Sequence, residues 1–232
     1  MANEERRARP KILFFDINET LLDLTELKKT VETALHGRAD LVPLWWASML
    51  HYSLVSTVAG QFKPLREIGV AAMMMLARSN NLDLDQEHAD AAIQPILSAP
   101  PYPDVPPSLR RLREEGFHMI VLTNSFQYTM ETQMKNSGLA DVFHMILSAE
   151  EAGIYKPHRD IYRWAASRVG KWPTDCMMIA AHGWDIAGAL WNGMRAAFIS
   201  RPGQELYPLA PVPEIIEPDL EKIADRLIRM PA

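Results

Sequence analysis

A short apolar run that ends in a carboxylate is the feature that most restricts the fold of this 232-residue chain. Ile12 to Phe15 are four consecutive apolar residues, and Asp16 follows them directly. A short continuous apolar run is typical of a strand buried on both faces, as in parallel sheets. A carboxylate at the carboxyl end of such a strand lies where ligands bind in open α/β sheets. The pattern therefore makes Asp16 a candidate nucleophile, while an aspartate in this place would also suit the opening of a turn.

Three later segments extend this pattern along the chain. A second apolar run ends in Thr123 and Asn124, and a third ends in His182 and Asp185. Between them, Lys156 stands just before a proline that is followed by a helical pattern. In chain order the polar groups are an aspartate, a threonine with an asparagine, a lysine and a second aspartate. Any one of these motifs is weak by itself, and their order and spacing carry the prediction.

The composition limits the class of protein. Hydrophobic residues make up 48% and charged residues 23% of the chain, which is ordinary for a globular protein. A net charge of −5 gives no reason to expect nucleic acid as a partner. The single cysteine, Cys176, excludes an internal disulfide and fits a reducing compartment. No stretch resembles a signal peptide or a membrane span, so we expect a cytoplasmic protein without a membrane partner.

The alternation of patterns predicts an α/β fold with a doubly wound parallel sheet and an all-helical insertion after the first strand. Helices are expected at about 24–35, 41–59, 63–79 and 86–97 in the insertion. A proline-rich stretch at 99–107 is expected to be a linker that returns to the sheet. Further strands are expected at 118–122, 142–147, 176–181 and 196–200, and helices at 108–115, 128–137, 159–169 and 184–192. The predicted core domain is therefore 1–22 with 101–232, and the predicted cap domain is 23–100.

The four motifs in this order resemble the haloacid dehalogenase superfamily over most of the chain. Within it, the sequence is most similar to the type II (L-2-haloacid) dehalogenase branch. Trp184 and Asp185, followed by Gly188 and Ala189, resemble the fourth motif of that branch, and Tyr162 matches its active-site tyrosine. The resemblance implies a Rossmann-like core with a helical cap over the ends of the strands. It also implies a substrate-binding role for Tyr162.

Asn18 separates the two main chemistries of this superfamily. Its phosphatases carry a second aspartate at this position, which protonates the leaving alkoxide, whereas a halide leaves without a proton. An asparagine cannot act as an acid at neutral pH, and Asn18 is expected to bind substrate instead. The phosphatases also hold Mg²⁺ with carboxylates of the last motif, where only Asp185 remains in this chain. Because His182 is a poor ligand for so hard a cation, the resemblance implies a site with neither metal nor cofactor.

The resemblance also implies a role for each motif. Asp16 would attack carbon to form an ester, and Lys156 would keep it ionised, although a salt bridge at a helix start would explain that lysine equally well. Asp185 would orient Lys156 and the hydrolytic water, or would cap the next helix. Thr20 and the pair Thr123 and Asn124 would hydrogen-bond the nucleophile or the substrate carboxylate. Taken singly, these three are also typical of turn residues that cap their own backbone.

Two positions depart from the branch. Trp46 stands where the branch has a cap arginine that receives the halide and the substrate carboxylate, so Arg38 or Arg66 would have to replace that charge. Trp46 is expected to bind substrate, although packing of the helix against the core would explain either Trp45 or Trp46. His182 stands where the branch has asparagine. It would act as general base in ester hydrolysis, or as a hydrogen-bonded spacer.

The sequence therefore predicts a metal-independent hydrolase that cleaves the carbon–halogen bond of a short 2-haloalkanoic acid, and a homodimer is possible through the cap. Two alternatives remain open at this stage. One is a hydrolase of the same fold that acts on another substrate, such as a phosphate ester. The other is a catalytically silent protein that keeps the fold as a binding module.

Overall fold

The computed structural model describes residues 8–10 and 12–231. They form a sheet of six parallel strands in the order β3-β2-β1-β4-β5-β6. The strands are β1 Ile12–Phe15, β2 His118–Thr123, β3 Met145–Ser148, β4 Cys176–Ala180, β5 Arg195–Ile199 and β6 Ile215–Glu217. The predicted fold class is confirmed. The first seven residues of the predicted core range lie outside the described part of the chain.

The helices alternate with these strands and also fill the long segment after β1. They are α1 Thr25–Ala34, α2 Leu41–Val58, α3 Leu65–Ser79, α4 Gln86–Ala92, α5 Val105–Glu114, α6 Gln127–Asn136, α7 Ala149–Ala152, α8 Arg159–Arg168, α9 Gly183–Trp191 and α10 Leu220–Arg229. Short 3-10 helices occupy Gln94–Ser98, Ala140–Val142 and Pro173–Asp175. No helix in the described part of the chain combines the length and apolar character that crossing a bilayer requires.

The first strand is buried on both of its faces. Leu13 and Phe15 pack into one hydrophobic cluster, which continues into the helices of the long insertion. Ile12 and Phe14 point the other way and pack into a second cluster on the opposite face of the sheet. Successive side chains of a strand alternate between faces, so a strand with helices on both sides must be apolar throughout. This is why the sequence of β1 shows a continuous apolar run instead of alternation.

The position of β1 in the sheet explains where ligands can bind. It pairs with β2 on one side and β4 on the other, so the strand order reverses there. At such a reversal the following connections leave in opposite directions and open a crevice beyond the strand ends. Asp16, directly after β1, lies at this crevice.

Helices α1 to α4 lie between β1 and α5, and two antiparallel segments connect them to the sheet. The backbone N–H of Asp23 donates to the carbonyl of Pro100 at 2.8 Å, and that of Tyr102 donates to Leu21 at 2.9 Å. These hydrogen bonds tie together the chain that leaves the sheet and the chain that returns. They support the division that we propose, with 23–100 as a cap and the remainder as the core.

The proline-rich linker ends earlier than the sequence predicts. Pro106 and Pro107 lie in the first turn of α5, where backbone N–H groups have no partner within the helix, so a missing N–H costs little. Farther into the helix a proline has the opposite effect. The predicted helix 86–97 ends at Ala92 and continues as a 3-10 helix that contains Pro95.

Four further elements differ from the prediction, and one of them is the four-residue helix α7, which was not predicted. The strand predicted at 142–147 begins only at Met145, because the chain up to Val142 forms the 3-10 helix Ala140–Val142. Strand β6 and helix α10 have no counterpart among the predicted elements. With three residues, β6 is too short to show a pattern, and it is defined by its pairing with β5.

Candidate active site

Asp16 is nearly buried, and three side chains bind its carboxylate. Lys156 Nζ lies 2.9 Å from Oδ1, while Thr20 Oγ1 and His182 Nδ1 lie 2.7 Å and 3.1 Å from Oδ2. Burial alone would raise the pKa of Asp16, but the positive charges of Lys156 and His182 and their hydrogen bonds hold it well below its usual range. The carboxylate is therefore ionised at neutral pH, as a nucleophile must be.

Thr20 is fixed as a donor to this carboxylate. Its Oγ1 accepts a hydrogen bond of 3.0 Å from the backbone N–H of Ala181, at the end of β4. A hydroxyl has one proton, and with its oxygen accepting from Ala181 that proton is available to Asp16. The side chain is fully buried, so this contact also links the loop after β1 to the end of β4.

Lys156 is a buried ammonium between two carboxylates. Its side chain is 0% exposed, and Nζ lies 2.6 Å from Asp185 Oδ2 in addition to its contact with Asp16. Burial by itself would lower the pKa of Lys156, but the two carboxylates outweigh burial and raise it. The side chain is therefore charged and neutralises part of the charge around the nucleophile. Lys156 therefore forms salt bridges and also belongs to the candidate site.

Asn124 positions Lys156 through its backbone. The asparagine Oδ1 accepts from the N–H of Lys156 at 2.9 Å, and Nδ2 donates to its carbonyl at 3.2 Å. Thr123 Oγ1 accepts from the N–H of Ser125 at 3.1 Å, which is a local turn contact. Both polar groups of Asn124 are thus occupied within the protein. A direct contact of Thr123 or Asn124 with substrate stays a prediction.

Asp185 lies in the first turn of α9, fully buried beneath Lys156. Burial raises the pKa of Asp185, and the charge of Asp16 adds to the rise, while Lys156 and a hydrogen bond from Tyr162 oppose it. Helix α9 begins at Gly183 with His182 at the N-cap position, so the alternative that Asp185 caps the helix is wrong. Its carboxylate instead faces the site.

Tyr162 binds Asp185, and its predicted contact with substrate stays a prediction. Its hydroxyl donates to Asp185 Oδ1 at 2.7 Å, and the side chain is 0% exposed. The ring lies against Gly188, where a Cβ would stand 2.5 Å from the tyrosine oxygen. The glycine of the fourth motif thus leaves room for a tyrosine that orients a buried carboxylate.

His182 is held between two carboxylates, which corrects its prediction as a general base in the resting enzyme. Nδ1 lies 3.1 Å from Asp16 Oδ2, and Nε2 lies 3.1 Å from Glu19 Oε2. Ionised carboxylates only accept hydrogen bonds, so both ring nitrogens must carry protons. Burial would lower the pKa of His182, but the hydrogen bonds and charges of its two partners raise it to about 9. An imidazolium cannot accept a proton.

Glu19 is a member of the site that the sequence analysis missed. Its side chain is 8% exposed, and Lys28 lies 2.5 Å from its Oε1. Burial would raise the pKa of Glu19, but hydrogen bonds from His182 and Lys28 lower it. The backbone of Glu19 has a φ of +59°, a conformation that few residues other than glycine adopt readily. The available signal was a second carboxylate three residues after Asp16, within a turn bounded by apolar residues.

A cavity of about 310 Å³ lies between the helices of the insertion and the loops that follow β1 and β2, and Asn18 is the candidate site residue of the core that lines it. Asn18 and Ser125 line it from the core, and Trp46, Leu65 and Ile93 are among the mainly apolar residues that line it from the cap. Trp46 therefore lies at the wall of the cavity. Its role in binding substrate stays a prediction.

The neighbouring Trp45 also lines the cavity, and it stabilises the packing of two helices. Trp45 is 2% exposed and donates from Nε1 to the carbonyl of Gly69 at 2.8 Å, which fastens α2 to α3. Of the two arginines considered as a replacement for the missing charge, Arg66 lines the cavity and pairs with Asp90 at 2.9 Å. Arg38 pairs with its neighbour Asp40 and is not among the lining residues.

Asn18 is oriented by its neighbours and has no acidic proton to give. Its Nδ2 donates to Ser125 Oγ at 3.1 Å, and its Oδ1 accepts from Gln133 Nε2 at 2.9 Å. Both ends of the amide are therefore bound within the core. The position that would protonate an alkoxide leaving group is thus occupied by a fixed neutral amide.

The donor set does not suit a divalent cation. A hard cation such as Mg²⁺ needs several oxygen ligands. Asp16 and Asp185 both bind the Lys156 ammonium, whose charge would repel a metal ion between them. Within residues 8–10 and 12–231, no group of three or more histidine, cysteine or acidic side chains has the arrangement that a metal ion requires.

A family model for haloacid dehalogenase-like hydrolases matches residues 10–193, which is most of the chain. The chain belongs to this family. It is 27% identical to haloacetate dehalogenase H-2 of Moraxella sp. (strain B) over 90% of this chain and 94% of that protein. It is 28% identical to (S)-2-haloacid dehalogenase 4A of Burkholderia cepacia over 85% of this chain and 87% of that protein.

Solved structures of this family share the fold. The L-2-haloacid dehalogenase of Xanthobacter autotrophicus with chloropropionic acid covalently bound superposes with a TM-score of 0.86 at 22% identity. The match covers 96% of this chain and 99% of that chain. The haloacid dehalogenase-like hydrolase described here therefore shares its fold with that structure over nearly the whole chain.

Proposed function

We propose that this protein cleaves the carbon–halogen bond of 2-haloalkanoic acids through an ester on Asp16. The observation that carries the proposal is the environment of that carboxylate. The Asp16 carboxylate is ionised, and the buried ammonium of Lys156 neutralises its charge. The side chains around Asp16 do not suit a metal ion. The neutral Asn18 beside Asp16 offers no acid, which suits a halide because a halide leaves without a proton. The names of the two curated relatives support the same reaction.

The hydrogen bonds indicate which oxygen attacks. Each carboxylate oxygen has about two lone-pair sites. On Oδ2 both are used, by Thr20 and His182, whereas Oδ1 has one contact, from Lys156. Oδ1 therefore retains a lone pair for C2 of the substrate. A bond forms between Oδ1 and C2, and the halide departs with the electron pair of the broken bond.

Lys156 and Asp185 serve both steps of the reaction. As Asp16 loses its charge to the ester, the Lys156 ammonium remains beside the oxygen that has become neutral and stabilises the departing negative charge. Water then adds to Cγ of the ester. Its proton passes to Asp185, whose pKa burial raises, and returns to the leaving alkoxide of the 2-hydroxy acid. The regenerated Asp16 carboxyl ionises and releases one proton.

The cavity indicates the kind of acid that is bound. Its wall is mainly apolar, and Arg66 is the cation among the described residues that line it. We propose that Arg66 binds the substrate carboxylate and that Trp46 contacts the alkyl chain. A volume of about 310 Å³ leaves room for a chain longer than that of chloroacetate.

A single turnover in ¹⁸O-labelled water tests the covalent route. With enzyme in excess over (S)-2-chloropropionate, one ¹⁸O atom should enter the peptide that contains Asp16, and the lactate should stay unlabelled. Label that appears in the lactate during the first turnover would exclude an ester. Asp16→Asn should abolish chloride release, while Asp23→Asn, which alters a carboxylate that binds Thr25 at the start of α1, should leave it unchanged.

Two arms separate the alternatives. p-Nitrophenyl phosphate is assayed with Mg²⁺ and with EDTA, beside a panel of haloacids. Phosphate release that depends on Mg²⁺, without halide release, would favour a phosphate-ester hydrolase. A lack of turnover on every substrate, with unchanged ligand binding in variants of Asp16 and Lys156, would favour a binding module.

We also propose that the protein forms a homodimer through the cap. Leu44, Tyr52, Val55 and Val58 form one exposed apolar stripe along α2, with exposures of 52%, 39%, 43% and 84%. Val55→Glu should convert the dimer to a monomer in light scattering. A monomeric wild-type protein would refute the proposal.

The single cysteine supports the further proposal that the protein works in the reducing environment of the cytoplasm. Cys176 is buried in β4, and burial raises its pKa to about 12, so its thiol stays protonated and inert. Localisation of a tagged protein by cell fractionation tests this proposal.

A further inference from the structure

The pair Glu19 and His182 extends the site beyond what the proposed chemistry of Asp16, Lys156 and Asp185 requires. His182 stands between the nucleophile and a second buried carboxylate, with 3.1 Å on each side. Trp184 stacks on its imidazole at a centroid distance of 5.2 Å, which fixes the plane of the ring. Glu19 is itself held by Lys28 at 2.5 Å. The left-handed backbone of Glu19, with a φ of +59°, adds a second unusual feature to this contact, and such conformations cluster at functional sites.

The contacts of Asp16 Oδ2 show what such a pair would do. If Oδ1 forms the ester, Oδ2 becomes the carbonyl oxygen of that ester. Two donors already point at it: the hydroxyl of Thr20 at 2.7 Å and Nδ1 of His182 at 3.1 Å. Donors aimed at an oxygen that becomes negative in the transition state are the elements of an oxyanion hole.

We propose that His182, kept protonated by Glu19, is the charged donor that stabilises the oxyanion on Asp16 Oδ2 while the ester is hydrolysed. The inference rests on the proposed function. Water adds to Cγ, the π-electron pair of the carbonyl moves onto Oδ2, and the tetrahedral intermediate is held by Thr20 and His182. The pair then re-forms the carbonyl as the alkoxide leaves. His182 transfers no proton in this cycle, and Glu19 is a positioning residue that touches neither substrate nor reacting atoms.

The pair should control the second chemical step more than the first. In the attack by Oδ1, negative charge moves away from Asp16 towards the halide, so a cation beside Oδ2 stabilises the starting carboxylate and gives no advantage. In hydrolysis, negative charge develops on Oδ2 itself. A charge-assisted hydrogen bond is about twice as strong as a neutral one, so an imidazolium stabilises this oxyanion more than a neutral donor would.

The charges around His182 determine how this step depends on pH. The carboxylates of Asp16 and Glu19 face its two nitrogens, Lys28 lies behind Glu19, and Lys156 lies across Asp16. When Asp16 is esterified it loses its charge, and Glu19 alone then favours the protonated ring. The rate of hydrolysis should therefore fall on the alkaline side, and removal of the Glu19 charge should move that fall to lower pH.

Glu19→Gln tests the proposal because the amide keeps the size and removes the charge. Chloride is followed by rapid quench with (S)-2-chloropropionate, and the ester is followed by intact mass. The first-turnover burst of chloride should change by less than about threefold. Hydrolysis should slow at least about tenfold, since removal of a whole oxyanion donor costs about 10²–10³. Ester should accumulate on the variant, and the alkaline fall in its hydrolysis rate should shift to lower pH.

A second variant and a control complete the test. His182→Asn retains a neutral donor near Oδ2, and it should also accumulate ester while losing the alkaline fall. Glu26→Gln, at an exposed acid on α1 that pairs with Lys29, should behave as the wild type. A burst and a steady state that fall together, without ester, would overturn the role of the pair. A wild-type enzyme that releases no halide would instead contradict the proposed function.

Discussion

Replacement of Lys156 by methionine should show how strongly the two buried carboxylates depend on one ammonium. Lys156 Nζ lies 2.9 Å from Asp16 and 2.6 Å from Asp185, and none of the three side chains is more than 7% exposed. Removal of one partner from a buried ion pair typically costs about 3–5 kcal/mol, because the remaining charge is left without compensation. For a protein of this size, this corresponds to a Tm lower by roughly 6–20 °C, at about 2–4 °C per kcal/mol.

The pH dependence of this loss has a definite sign. In the wild type, Lys156 opposes the effect of burial on the pKa of both Asp16 and Asp185. Without it both pKa values should rise, so the carboxyl groups of the variant can become neutral as the pH falls. The stability difference between wild type and variant should therefore be greatest near pH 8 and should shrink towards pH 5.

Urea unfolding followed by circular dichroism at pH 5 and pH 8 measures both quantities. Lys29→Met is the matched control, since Lys29 also lies 2.7 Å from a carboxylate, but at 63% exposure. An exposed pair contributes about 0–1 kcal/mol, so the control should unfold like the wild type. A loss below about 1 kcal/mol for Lys156→Met at pH 8, or a loss that grows towards pH 5, would refute the reasoning.

Three further predictions concern the site and its cavity. Tyr162→Phe leaves buried Asp185 without its 2.7 Å donor and should lower the free energy of unfolding by about 1.5–3 kcal/mol in urea titrations, whereas Tyr128→Phe, at an exposed ring, should not. The pKa of His182 is raised to about 9, so its imidazole should titrate near that pH in NMR spectra; a midpoint near 6.5 would contradict the double carboxylate contact. In a series of 2-chloroalkanoates, each methylene buried against Trp46 should raise kcat/KM about fourfold, from about 0.8 kcal/mol, and a flat series would show that the chain stays in water.

Much of the fold follows from local patterns. The apolar run of β1 and the alternation that follows it predict a doubly wound parallel sheet, because a strand buried on both faces has no polar positions. The helices of the insertion were predicted to within a few residues, except where Pro95 ended one of them early. The proline cluster led to a predicted linker at 99–107 that is too long, because Pro106 and Pro107 lie in the first turn of α5. Prolines are common both in linkers and at the start of a helix, so composition alone does not distinguish the two.

The order of the motifs predicted the main contacts of the candidate site, but not all of its members. Asp16, Thr20, Lys156 and Asp185 lie in one cluster of hydrogen bonds, as the motif order suggested. Tyr162 was predicted to bind substrate, and the structure shows it bound to Asp185. The spacing of residues along the chain cannot predict the contact between Tyr162 and Asp185, because it depends on how closely α8 packs against α9 at Gly188.

The sequence by itself determined the sheet, the insertion and the residue types at the strand ends, since these follow from periodicity and from the order of polar groups along the chain. Only the tertiary structure decided the protonation of His182. Asp16 and Glu19 lie 166 and 163 residues from His182 in the chain, and only their contacts across the ends of β1 and β4 make the histidine a cation. A pKa depends on the charges and the burial around a group, and folding alone brings these together.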